Sequence, residues 1–153
     1  MGRSRQAAIG DLGAAMQAYQ RSVQAFDDAV GRRLGLGPTD LRCLDWLTGG
    51  PMTAGQLGVA AGLRPAATNA LIDRLEKRGL VQRVRSEDDR RQVRVEMTDR
   101  ARAQTWELYG PLVEEGQELL GGFTLAELDR MRRHLDAVRE LTDRHRDRLD
   151  QPD

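Results

Sequence analysis

Between positions 53 and 97 the hydrophobic period changes once, from helical to alternating, and that switch restricts the fold more than any other feature of the chain. Thr53, followed three residues later by Gln56, makes a capping box. The short helix it opens carries Leu57, Val59 and Ala60 and runs into Gly62. Pro65 suits the first turn of a second helix, with Thr68, Leu71, Ile72 and Leu75 on its inner side and Gly79 just past its end. Beyond Gly79, residues 80–84 and Val93–Met97 alternate apolar with polar side chains, and the polar stretch 85–92 joins them as a hairpin. A short helix, a tight turn, a longer helix and a hairpin together spell a helix-turn-helix followed by a wing.

Both flanks carry helical seams. Ile9, Leu12, Met16, Tyr19, Val23, Phe26 and Val30 alternate by three and four and form one stripe, while Gln17, Gln20 and Arg21 make the other side polar. Gly35 and Gly37 end that helix. Pro38 opens another, whose buried side holds Leu41, Cys43, Leu44, Trp46 and Leu47 before Gly49-Gly50 stops it. Thr98 starts a long helical stretch through Ala101, Thr105, Leu108, Leu112 and Leu119 to Gly121-Gly122, interrupted at Gly110-Pro111 by an expected kink or loss of hydrogen bonding. A second capping box, Thr124 with Glu127, starts a last helix seamed by Leu128, Met131, Leu135, Val138, His145 and Leu149.

The expected architecture is mainly α with a small β-hairpin wing. Residues 1–34 form an N-terminal dimerisation helix, 35–98 a winged helix-turn-helix DNA-binding domain, and 99–153 the C-terminal dimerisation helices. Long seams at both ends intertwine most naturally with their copies about a two-fold axis, so a homodimer is expected.

A chain of 153 residues, 39% hydrophobic and 31% charged, has the size of one domain and excludes large multi-domain enzymes. Its 24 acidic and 24 basic side chains cancel overall, yet they are segregated along the chain. Positions 64–94 hold nine basic against five acidic side chains, and 95–153 hold nine against fourteen. The single cysteine excludes an internal disulfide framework and suits a reducing compartment. No apolar run approaches the roughly 20 residues of a membrane span, and no signal-peptide core follows the basic N-terminus, so a cytoplasmic protein is expected. His134 and His145 stand eleven residues apart without a cysteine partner, which makes a metal site improbable. With no Ser-His-Asp arrangement, phosphate loop or paired-carboxylate motif, neither an enzyme nor a cofactor is expected.

On or beside the outer face of the second helix stand Arg64, Asn69, Asp73, Arg74 and Lys77, which offer guanidinium groups to guanine edges or phosphates and an amide to adenine. The same residues would also suit a solvated helix face. In the hairpin loop, which holds Glu87, Asp88 and Asp89, an Asp can accept hydrogen bonds that stiffen the wing and leave an arginine for the narrow minor groove, with an ordinary solvated charge run as the alternative reading. Trp46, Trp106 and Tyr109 could line a pocket for an aromatic ligand, with core packing as the alternative reading. Cys43, beside Leu44 and Leu47, reads as a small buried hydrophobe.

The run Leu71-Ile72-Asp73-Arg74-Leu75-Glu76-Lys77-Arg78-Gly79-Leu80-Val81, followed by Asp89-Arg90-Arg91 and then Val93, Val95, Met97 and Thr98, resembles the recognition helix and wing of the MarR family of bacterial transcription regulators. The resemblance implies a homodimer on a pseudo-palindromic promoter site, usually a repressor released by a small aromatic or phenolic effector or by an oxidant. On that reading Arg64, Thr68 and Asn69 contact bases, Arg74, Arg78, Arg83 and Arg85 contact phosphates, and Arg90 or Arg91 enters the minor groove. The run from Arg64 to Ala70 has fewer Ser, Thr and Arg residues than many members, and Ala101 stands where a glycine is common. Cys43 lies in the second helix, whereas the peroxide-sensing branch carries its reactive thiol in the first. A dimeric winged-helix module that binds protein instead of DNA is the alternative from another class.

Overall fold

A computed structural model of the chain describes residues 4–85 and 91–149. Six helices and one hairpin follow in the order α1 (Arg5–Leu34), α2 (Pro38–Thr48), α3 (Ala54–Ala61), α4 (Pro65–Lys77), β1 (Val81–Arg85), β2 (Val93–Met97), α5 (Asp99–Leu120) and α6 (Leu125–Leu149). The chain divides into two compact units, residues 1–108 and 109–153, so that α5 spans the division. The expected class, mainly helical with a hairpin wing, is the one observed.

The first unit takes its shape from local signals. Ser4 caps α1, its Oγ accepting the Ala7 N–H at 3.1 Å. Gly35 ends that helix with φ of 64°, a left-handed turn that a side chain would strain. Leu44, Leu47, Leu57, Ile72, Leu75, Val81 and Val95, from α2, α3, α4 and both strands, are fully buried and form the core. Each such leucine or isoleucine stabilises the fold enough that truncation to alanine costs about 2–5 kcal/mol.

The hairpin is antiparallel, with Val81 opposite Met97 and Arg85 opposite Val93. Its first strand begins one residue later than the alternation suggests. Leu80 donates its N–H to the Leu75 carbonyl (3.0 Å) and Gly79 donates to Glu76 (2.9 Å), with Gly79 at φ of 68°. Leu80 therefore completes the C-terminal cap of α4 before the strand can start. The other edge of β2 receives Met52, which exchanges both backbone hydrogen bonds with Val95 at 3.0 and 2.7 Å. That bridge ties the loop between α2 and α3 to the wing.

Thr98 caps α5, accepting the Ala101 N–H at 3.1 Å and donating its hydroxyl to the Gly79 carbonyl at 2.7 Å. The helix α5 continues through Leu120 with Pro111 inside it, and Pro111, which has no N–H, leaves out one hydrogen bond of the ladder, as expected. The residue before it is a glycine, with no Cβ to meet the proline ring, so the helical conformation continues.

In the second unit, Thr124 and Glu127 make the expected reciprocal cap: the Thr124 N–H donates to Glu127 Oε2 at 2.8 Å and the Glu127 N–H to Thr124 Oγ1 at 3.3 Å. The backbone hydrogen bond from Thr124 holds the Glu127 carboxyl below its ordinary pKa. Surface ion pairs such as Arg132–Asp136 and Arg146–Asp143, both at 3.0 Å, line α6. None of its side chains is buried.

Cys43 is fully buried, and burial followed by the nearby Asp40 carboxylate pushes its thiol up to about 11. The thiol therefore stays protonated and unreactive at neutral pH. The sign of the linkage is definite. An unfolded thiol ionises near its model value of 9.0, the folded one only near 11, so the stabilisation is complete below pH 9 and disappears as pH climbs through 11. Denaturant titrations should show Cys43 contributing a loss of up to about 1.4 kcal/mol per pH unit in that window, absent in Cys43→Ala. Native protein should also resist thiol reagents at neutral pH until denaturant is added. Rapid labelling of the native protein would contradict the buried placement.

Among the described residues, no helix is long and apolar enough to cross a membrane, and no group of three His, Cys, Asp or Glu side chains could hold a metal ion.

Candidate nucleic-acid interface

The helix-turn-helix is built as its sequence signals require. Thr53 Oγ1 accepts the Gln56 N–H at 3.2 Å while Gln56 Oε1 accepts the Thr53 N–H at 2.9 Å, which starts α3. Gly62 ends it at φ of 68°, and Pro65 opens α4 two residues after Leu63. The two helices approach closely at Gly58, where an added Cβ would stand 2.6 Å from Thr68 Oγ1.

That approach removes one residue from the expected reading face. Thr68 is 1% exposed and donates its hydroxyl to the Arg64 carbonyl at 3.0 Å. It cannot meet a base without unfolding the turn, so it belongs to packing. The exposed residues of α4 and its N-cap are Arg64, Pro65, Ala66, Ala67, Asn69, Ala70, Asp73, Arg74 and Lys77. Arg64 is the N-cap, and the first turn contains no acidic residue, so the positive end of the helix dipole is unopposed there. Ala66 and Ala70 were not singled out from sequence. Their methyl groups make the face shallow, and alanine can meet a thymine methyl.

Three of the expected phosphate contacts are engaged within the protein. Arg74 is paired with Asp40, a buried carboxylate at the start of α2, and that hydrogen bond raises the pKa of Arg74 further. Arg78 donates to the carbonyls of Gly35 (2.6 Å) and Leu34 (2.8 Å), satisfying the end of α1. Arg83 of β1 bridges Asp73 (2.6 Å) and Glu76 of α4 and has its pKa raised by the hydrogen bond to Asp73. These three side chains fix α4 against α2, α1 and the wing respectively. Arg74 and Arg83 face carboxylates and Arg78 faces carbonyls, so all three help to position the helix.

Arg85 and Arg91 are exposed at the two described edges of the wing loop, and Arg90 lies outside the described residues. Arg94, in β2, adds a further guanidinium, its Nε donating to Gln92 Oε1 at 3.1 Å. Its polar place in the strand alternation was the signal that could have marked it. Of the aromatic residues expected to line a ligand pocket, Trp46 on α2 is 46% exposed and Trp106 on α5 is 54% exposed. Tyr109 is half-buried and belongs to the second unit.

A short helix, a tight turn, an exposed helix start free of acidic residues and a hairpin beside it define a winged helix-turn-helix protein of the DNA-binding regulator class. A sequence model of the MarR family matches residues 34–92. The HTH-type transcriptional regulator YcgE of Bacillus subtilis is 36% identical over 127 residues, covering 82% of each chain. This chain belongs to the MarR family of transcription regulators and is not an enzyme. The fold is shared with a MarR family protein from Bacillus stearothermophilus, at a TM-score of 0.65 and 21% identity over 92% of this chain and 99% of that one. It is shared also with RV1404 of Mycobacterium tuberculosis, at a TM-score of 0.61 and 22% identity over 99% of each chain.

Proposed function

We propose that the protein is a homodimeric, sequence-specific repressor of transcription that binds a pseudo-palindromic duplex. The observation that carries this reading is the start of α4, where Arg64 and Asn69 stand exposed on a helix end whose dipole no acidic residue opposes. Arg64 and Asn69 read bases, while Arg85 and Lys77 meet phosphates. Arg90 or Arg91 reaches the adjacent minor groove.

Dimerisation is supported by seam residues that stand exposed among the described residues. Ile9, Leu12 and Tyr19 of α1 are 51–70% exposed, and Leu135 and Leu149 of α6 are 62% and 86% exposed. Apolar rows of that length on a soluble domain mark an interface. Residues 1–34 and 99–153 supply it, and 35–98 bind DNA. Two copies of α4 then enter successive major grooves roughly 34 Å apart. A small aromatic effector releases the operator by favouring a different separation of the two recognition helices.

Sedimentation combined with selection from a genomic fragment pool tests this. The expected result is a dimer in solution and one enriched sequence with two inverted half-sites about one helical turn apart. A monomer that enriches no sequence would overturn the reading.

A further inference from the structure

Where α1 and α4 end and α5 begins, an open cleft of about 360 Å³ is lined by Arg33, Leu34, Arg78, Leu80, Arg100 and Gln104. Half of that lining is arginine and none of it is acidic. Arg78 is matched locally, since its two donors satisfy the negative end of α1. Arg33 and Arg100 have no ion-pair partner among the described residues. Arg100 also stands in the first turn of α5, where the helix dipole is already positive and Asp99 is the acidic side chain. Its guanidinium lies over the turn between α4 and β1, 3.6 Å from where a Cβ on Gly79 would be.

Positive charge gathered in a concavity, with Leu34 and Leu80 as low-dielectric wall, focuses a field that an anion relieves. We infer that this cleft binds a small polyvalent oxyanion of the phosphate-monoester or polycarboxylate class. Arg33 and Arg100 supply charge-assisted hydrogen bonds, Gln104 an amide donor, and the two leucines a surface for the uncharged part of the ligand. The site is separate from the exposed start of α4, and it does not depend on DNA recognition.

Thermal unfolding of the DNA-free protein tests it, with inorganic phosphate or citrate at low millimolar concentration against chloride at matched ionic strength. Low concentration matters, because excluded salts stabilise any fold when abundant. Expected is a saturable rise in Tm with either oxyanion, and an apparent affinity weakened about tenfold or more in Arg100→Gln and in Arg33→Gln, as loss of one charge-assisted contact implies. A rise no larger than that with chloride, or an unchanged response in both variants, would overturn the inference.

Discussion

Alanine at both Arg64 and Asn69 is expected to weaken binding to the selected duplex about a hundredfold for each half-site while leaving stability within about 0.5 kcal/mol of the parent. Each good base contact contributes about 1–3 kcal/mol of discrimination, and the two in a half-site, at the lower half of that range, amount to roughly 3 kcal/mol, or about a factor of a hundred per half-site. Stability is spared because both side chains are exposed, and the Arg64 side chain makes no capping hydrogen bond to α4. The two readouts are separable by anisotropy and denaturant titration. Unchanged affinity in the double variant would mean that the start of α4 does not read the duplex.

The second large effect concerns the contact that sets α4 on α3. Gly58→Ala places a methyl group 2.6 Å from Thr68 Oγ1, 3.5 Å from its Cβ and 3.4 Å from the Leu63 carbonyl oxygen. Thr68 cannot swing aside, because it is buried and its hydroxyl is held by the Arg64 carbonyl. The helices must separate, at a cost of about 1–3 kcal/mol. The reading face moves with α4, so duplex affinity should fall as well. A double-mutant cycle makes the mechanism checkable. Adding Thr68→Ala removes the hydroxyl and leaves only ordinary contacts, and most of the lost stability and affinity should return. Additive losses in the double variant would contradict the steric explanation.

What was legible in the sequence was local. Thr53 with Gln56 and Thr124 with Glu127 fix helix starts through residues three apart, and both boxes form as expected. The Arg74–Asp40 pair joins residues 34 apart in sequence, and Arg78 reaches carbonyls 43 and 44 residues away. No periodicity reports such pairings, so these arginines looked like free cations on a helix face. Thr68 shows the conflict within one residue. Helical spacing puts it inside and its hydroxyl makes it a candidate for base contact, and the close approach of Gly58 decides for the inside. Leu80 moved from strand to helix cap because its N–H closes α4, a choice that alternation alone cannot make. At Gly110-Pro111 the helix continues while Pro111 leaves out one hydrogen bond, and the glycine before it makes room for the proline ring.

Affinity for the selected duplex as a function of salt concentration tests the central claim most directly. The predicted result is binding at least about a thousandfold tighter than to a scrambled duplex. A steep linear fall of log affinity with log salt should accompany it, with a slope that decreases by about one per protomer when Arg85 is replaced by alanine. Weak, equal binding to every duplex with no change of slope in Arg85→Ala would contradict it and leave the exposed face of α4 as a surface for another protein.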